Sequence, residues 1–295
     1  MSKYILSCCS TADLSEEHFK SIDVPFTSFT FEMDGKQYVD DLGKSIPFAE
    51  FYKRVGDGAE VKTSQVNEKQ FEEFFEKYLK DGYDILHVCL SSGISGVMNS
   101  ANMAKEILSS RYPDRKILIL DSLAASSGYG LLIDVMAEKK KAGMTIDELY
   151  NWGMENRLNV HHWFFTSDLT CLIRGGRVSK TAGFVGKMLS ICPLLNIDFE
   201  GKLQPREKIR GKKNVMDRTL EKMIEHATDG INYSGKCYIS NSNCYEDARM
   251  LADMIEDKFK NLNGKVLIND IGTVIGCHTG PGTVALFFFG DKRVD

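Results

Sequence analysis

This chain of 295 residues has no run of about 18 apolar residues, so no membrane-spanning helix is expected and at most a transient membrane contact. Its opening residues, Met1-Ser2-Lys3-Tyr4-Ile5-Leu6-Ser7, hold no apolar core long enough for a signal peptide, which points to the cytoplasm. No C-x-x-C pair occurs among its eight cysteines, and structural zinc wants paired ligands at short spacing; no metal is expected. The cysteines sit mostly beside apolar residues and read as small buried hydrophobes. Neither charge sign dominates: the net charge is −4 and the pI about 5.9, so nucleic acid is not an expected partner.

The nucleotide signatures fail as well. Gly230-Ile231-Asn232-Tyr233-Ser234-Gly235-Lys236-Cys237 has the glycine and lysine spacing of a phosphate loop. It puts Cys where Ser or Thr must reach magnesium, and it runs from helix into strand, the reverse of the required order. Gly128-Tyr129-Gly130 lacks the third glycine of a dinucleotide fingerprint. Ser92-Gly93-Ile94-Ser95-Gly96 comes near a nucleophile elbow but has no convincing acidic partner. There is no internal repeat and no low-complexity linker. No cofactor is expected.

What the chain does have is a rhythm. With 43% hydrophobic and 26% charged residues it is an ordinary globular composition, long enough for two domains. Strands at Lys3–Ser7, Asp84–Leu90 and Lys116–Leu120 alternate with helices at Glu68–Leu79, Val97–Ser109 and from Ala124 to about Lys141. That alternation predicts an α/β fold: an N-terminal Rossmann-like parallel sheet with helices on both faces, over residues 1–160. Val24–Phe31 is expected as one further strand, followed by a hairpin at Met33-Asp34-Gly35-Lys36. After about Tyr150 the pattern changes to an α+β domain with a mixed sheet, residues 161–295, with a soft boundary. Its expected elements include a helix from Thr181 to Leu189 and a hairpin joining Cys192–Ile197 to Leu203–Ile209.

In a parallel sheet of this kind, ligands sit at the carboxyl ends of the strands. Ser91, Ser92 and Ser95 collect there, with Thr63 and Ser64 at the end of another expected strand. One histidine has a special setting. His278 precedes a Gly280-Pro281-Gly282 turn that leads into a buried strand, Thr283–Phe289, and is expected on that turn. Arg177 lies in the glycine turn Arg174-Gly175-Gly176-Arg177, and Arg210 follows the expected strand Leu203–Ile209. Hydroxyls, one histidine and two arginines suit a carboxylate or phosphate. Each hydroxyl is also at home as a helix cap, Arg177 as a helix-end charge and Arg210 as a solvated one.

Six segments carry a resemblance, in order along the chain: Cys9-Ser10-Thr11-Ala12-Asp13-Leu14, Lys62-Thr63-Ser64-Gln65, Leu90-Ser91-Ser92-Gly93-Ile94-Ser95-Gly96, Asp121-Ser122, Arg174-Gly175-Gly176-Arg177-Val178-Ser179 and Gly276-Cys277-His278-Thr279-Gly280-Pro281-Gly282. Together they resemble the DegV family, bacterial lipid-binding proteins that include the fatty-acid-binding subunit of fatty-acid kinase. The resemblance implies a second domain with a mixed six-stranded sheet and a long-chain fatty acid whose carboxyl lies between the domains. It places carboxylate binding on Thr63, Ser95 and His278. Ser64, Ser91, Ser92, Arg177, Arg210 and Thr279 become supporting, phosphate-facing or partner-facing residues. The implied role is non-catalytic: the acid is held and presented to a kinase subunit that forms the acyl-phosphate. A Ser95–His278 hydrolase or acyl transferase, and a lipid sensor without a kinase, are the alternatives. Two residues depart from the family pattern: Cys9 replaces an acid, and Val66 replaces the proline after Gln65. A chain of about fifteen methylenes, at roughly 0.8 kcal/mol each, offers on the order of 12 kcal/mol of gross burial energy, so the tail would set affinity.

Overall fold

The structure is a computed structural model and describes residues 3–179 and 190–294. The expected helix at 181–189 lies outside the described residues. In chain order the elements are β1 (Tyr4–Cys9), α1 (Glu16–Ser21), β2 (Phe26–Thr27), β3 (Thr30–Met33), β4 (Lys36–Val39), α2 (Phe48–Gly56), β5 (Val61–Ser64) and α3 (Glu68–Lys80). There follow β6 (Asp84–Cys89), α4 (Val97–Arg111), β7 (Ile117–Asp121), α5 (Ser126–Lys141), α6 (Ile146–Asn156), β8 (Val160–Phe165) and α7 (Thr170–Arg174). The rest are β9 (Ile191–Ile197), β10 (Leu203–Arg210), α8 (Lys212–His226), β11 (Tyr238–Asn241), α9 (Tyr245–Lys258), β12 (Leu267–Asp270), α10 (Thr273–Thr279) and β13 (Val284–Phe289).

Three sheets organise them. The first is parallel, in the order β2-β1-β6-β7. The third is mixed and six-stranded, β10-β9-β8-β13-β11-β12, with only β11 and β12 parallel. Inserted between β2 and β6 is a small antiparallel sheet, β4-β3-β5; its β3–β4 hairpin was expected at Met33-Asp34-Gly35-Lys36, but its standing as a separate sheet was not. The expected single strand Val24–Phe31 is in fact two. Phe26–Thr27 pairs with β1, whereas Thr30–Met33 pairs with β4 and β5. The crossover is held where Ser10 Oγ accepts from the Phe29 N–H (3.2 Å) and Phe29 C=O accepts from Asp40 N–H (2.9 Å).

Capping residues set several helix starts. Ser15 accepts from the His18 N–H, and Asn67 with Gln70 forms a reciprocal capping box. Thr145 and Glu148 form another, opening a helix that the sequence reading left out. Its signal, a threonine followed three residues later by a glutamate, is present in the chain.

Helix α5 is the middle layer. It packs on β1 with one side and on β8, β11 and β13 with the other, so its residues are buried almost all round. Helices α3 and α4 cover the outer face of the parallel sheet, and α8 and α9 that of the six-stranded sheet. Alternation along β13 shows the consequence: Val284, Leu286 and Phe288 pack under α8 and α9, while Ala285 and Phe287 face inward. No helix among the described residues is long and apolar enough to cross a membrane.

Candidate functional site

A cavity of about 520 Å³ lies on that inward face. Its floor is made by alternate residues of β8 and β13: His162 and Phe164, and Thr283 just ahead of Ala285 and Phe287. Leu90, Ile94 and Ala125 come from the first half of the chain, and Leu172, Ile197 and Leu203 from the second, so both halves supply the apolar wall. Volume and lining are those of a pocket that would enclose most of a small apolar ligand.

Polar groups gather on part of that lining. Thr63, Ser64, Gln65, Ser95, Arg177, His278 and Thr279 all border the cavity. Thr63 stands near the end of β5, a strand of the small antiparallel sheet. His278 is not on the glycine-proline turn but in the last turn of α10. That short helix is held at its start by a residue distant in sequence and ended by the glycine that follows it. Asp40 Oδ1 accepts from the N–H and the hydroxyl of Thr273 (3.2 and 2.7 Å) at one end, and Gly280, at φ +67°, terminates the other. Gly276 lets α10 press against α2: a Cβ there would stand 2.6 Å from the Tyr52 hydroxyl, which donates to Ile271 C=O (2.6 Å).

The decisive contact joins residues 215 apart: Thr63 Oγ1 and His278 Nε2 are 3.0 Å from one another. The other ring nitrogen, Nδ1, is buried and has no hydrogen-bond partner. It faces Gly175, where an added Cβ would lie 2.3 Å away. Burial, reinforced by the nearby Arg177 charge, pushes the imidazole down to about 4, so the ring is neutral at pH 7. A neutral ring with Nδ1 unpaired favours the proton on Nε2, donated to Thr63, because an orphaned acceptor is tolerated better than an orphaned N–H. The Thr63 hydroxyl hydrogen is then free to donate into the cavity.

Arg177 is the cation of this group. Its Nε donates to Ile94 C=O (3.1 Å) and its Nη1 to Gly175 C=O (2.5 Å), fixing the guanidinium by backbone oxygens rather than by a carboxylate. Burial alone lowers its basicity. Ser95 Oγ accepts from the Val97 N–H (3.2 Å) and lies 3.5 Å from Gln65 Oε1, with Gln65 anchored to Ser100 Oγ (3.1 Å). Thr279 and Ser64 complete the rim.

Three expected residues are elsewhere. Ser91 is buried and donates to Gly201 C=O (2.8 Å), tying the loop after β6 to the β9–β10 hairpin. Ser92 is exposed, and its N–H is held by Asp121 Oδ1 (3.1 Å). Arg210 is exposed at the end of β10. None of the three borders the cavity. The structure adds Gln65, Ser126, His162 and Thr283 to the lining, none of them singled out from sequence as cavity residues. Ser126 adopts φ +53° and donates to buried Asp13 (2.5 Å), a geometry no local motif announces. The Cys9 thiol is fully buried, 3.6 Å from His87 Nε2, and burial pushes it far above the usual thiol range. It is a core residue.

Among the described residues no serine–histidine–acid triad forms around His278. The His278 partner is Thr63, and no carboxylate orients its Nδ1.

Residues 9–291 match the family model described as "Uncharacterised protein, DegV family". A DegV domain-containing protein of Clostridium perfringens is 38% identical over 99% of both chains. Among solved structures, a DegV lipid-binding protein of Thermotoga maritima superposes with a TM-score of 0.84 at 28% identity, covering 99% of each chain. A second Thermotoga maritima protein, whose structure is described as revealing fatty acid binding function, gives a TM-score of 0.82 at 27% identity, covering 99% of this chain and 100% of the other.

Proposed function

This chain belongs to the DegV family, and from that premise we propose that it binds one long-chain fatty acid and presents the carboxyl group to a kinase partner for acyl-phosphate formation. The observation that carries the reading is the Thr63–His278 pair, at 3.0 Å, on the wall of a cavity whose floor and roof are largely apolar. The tail lies among Phe164, Leu172, Val274 and Phe287, and the carboxylate takes the free hydroxyl hydrogen of Thr63 and that of Ser95, which turns to it from Gln65 Oε1 (3.5 Å). His278 acts mainly through Thr63: by donating to its Oγ1 it turns the threonine O–H toward the ligand. Arg177 supplies the positive potential that offsets part of the cost of burying the carboxylate. An ionised ligand also draws the His278 pKa back up, since it opposes the Arg177 charge.

The protein performs no bond-making itself in this account. Arg210, exposed and away from the cavity, meets the acyl-phosphate or an acidic surface of the kinase. Denaturing extraction of the purified protein, with mass spectrometry of the extract, tests the central point. One fatty acid per chain is expected. An extract without lipid, together with no uptake of added palmitate or oleate, contradicts it. The hydrolase alternative predicts labelling of Ser95 by a fluorophosphonate, and none is expected.

A further inference from the structure

Among the described residues, one cluster remote from the cavity lining brings metal-ligating side chains together. His161 lies on β8, His226 is the last residue of α8, and Asp291 follows β13. One ligand atom from each lies within 4.8 Å of the other two. His161 Nε2 is 2.8 Å from Asp291 Oδ1, and His226 Nδ1 is 3.2 Å from the same oxygen. Ligands held at about 2.0–2.1 Å around a tetrahedral ion stand roughly 3.3 Å from one another. Two edges of such a polyhedron therefore already have near-ligand lengths. The edge between the histidines has to adjust, and their rings, stacked with centroids 4.8 Å apart and planes at 19°, have to turn so that both lone pairs meet the ion.

The frame is tied together by backbone. The Asp291 N–H donates to His226 C=O (2.9 Å), and Ala227 and Gly290 form an antiparallel bridge. The carbonyl end of α8 adds partial negative charge beside His226. A cavity of about 360 Å³ opens next to the three side chains. On its wall is an independent sign of a missing ligand. Trp163 is only 5% exposed, and its indole N–H has no hydrogen-bond partner. The cations nearby are largely engaged: Lys222 by Glu207 and Glu225, Arg206 by Asn196, and Arg293 by backbone carbonyls including those of Ile197 and Leu123.

We propose that His161, His226 and Asp291 bind one divalent transition-metal ion of the zinc type, leaving a coordination position for a water or small anion that the Trp163 N–H meets. Two imidazoles and a carboxylate suit such an ion, and three protein ligands leave its fourth position open. His161 Nε2 now contacts the Asp291 carbonyl as well (2.9 Å), so metal binding shifts its proton to Nδ1 and turns the Nε2 lone pair to the ion.

Full-length protein stripped with chelator and titrated with zinc chloride in a calorimeter tests the site, with cobalt chloride and visible absorption in parallel. One saturating ion per chain is expected, with tetrahedral cobalt bands. His226→Gln and Asp291→Asn should each weaken binding by about tenfold or more. The Asp291 side chain is 61% exposed, so its substitution leaves the core intact and decides the matter even if the histidine variant folds poorly. Absence of saturable binding up to about 100 µM zinc overturns the proposal. So does unchanged affinity in both variants, or a cobalt–thiolate charge-transfer band, which would move the ion to the part-exposed thiols Cys171 and Cys244. Fatty-acid content does not enter any of these outcomes.

Discussion

His87 and His278 are both sequestered, uncharged imidazoles, and they serve opposite ends. His87 is fully buried in β6, with Ser7 Oγ 3.0 Å from one nitrogen and Cys9 Sγ 3.6 Å from the other. Phe71 and Phe75 meet it edge-on, with ring centroids at 5.1 and 5.2 Å. Burial pushes it down to about 3. His278, pushed down to about 4, has one partner and one bare nitrogen, and it borders a cavity. Depressed basicity therefore does not separate the two rings. What separates them is whether every neighbour belongs to the protein. Around His87 the contacts are complete, and around His278 they stop at an open wall.

Substitution should break this comparison most visibly at the core. His87→Ala removes a ring packed among aromatics and leaves a cavity, so a loss of about 3 kcal/mol or more in denaturant unfolding is expected. Any loss of lipid binding should then track the fraction unfolded. His278→Ala should do the reverse. Palmitate affinity falls about tenfold, through loss of roughly one good hydrogen bond, while unfolding stability changes little. Gly175→Ala reaches the same end by steric means, because its methyl must displace the ring from 2.3 Å. The double variant should bind no worse than His278→Ala alone, as expected for two changes acting through one ring.

The pH dependence of stability sharpens the comparison. Both rings titrate lower in the folded chain than the ordinary histidine value of about 6.5, so the unfolded chain takes up more protons below that pH. Lipid-free protein should thus lose stability as pH falls from about 6.5, the His278 contribution ending near 4 and that of His87 near 3. His161 and His162, also lowered by burial, add a background common to both proteins compared. In His278→Gln the slope between about 6.5 and 4 should shrink by about one proton. An unchanged slope would mean that the ring is not sequestered. The smallest effect on binding is expected from Arg210→Ala, less than about twofold, since exposed charges contribute little. Phosphoryl acceptance from the kinase should suffer instead. If this variant abolishes lipid binding outright, the assigned role is wrong.

The layered parallel half could be read from the chain because its strands are continuous apolar runs and its helices carry caps such as Asn67-x-x-Gln70. Pairing was harder. Phe26–Thr27 and Thr30–Met33 look like one strand because nothing local marks the switch between sheets at Ser28-Phe29. Helix α10 was missed for a related reason. Its sequence, Thr273-Val274-Ile275-Gly276-Cys277-His278-Thr279, is β-branched and glycine-bearing, and it is helical because Asp40 and Tyr52 hold it from elsewhere in the chain. The glycines around Arg177 and His278 were legible as unusual. That Gly175 is small to admit the His278 ring was not, since that contact joins residues far apart in the chain. Ser91 shows the opposite limit: a hydroxyl in the right motif turned out to hold a hairpin in place.

A crystal structure of the protein loaded with palmitate tests the central claim most directly. The account predicts one carboxylate oxygen within about 3 Å of Thr63 Oγ1, with the Thr63–His278 hydrogen bond retained and the tail between Phe164 and Val274. A chain bound in the reverse sense, with its carboxylate among Ser126, His162 and Thr283 and only methylenes beside Thr63, would contradict it.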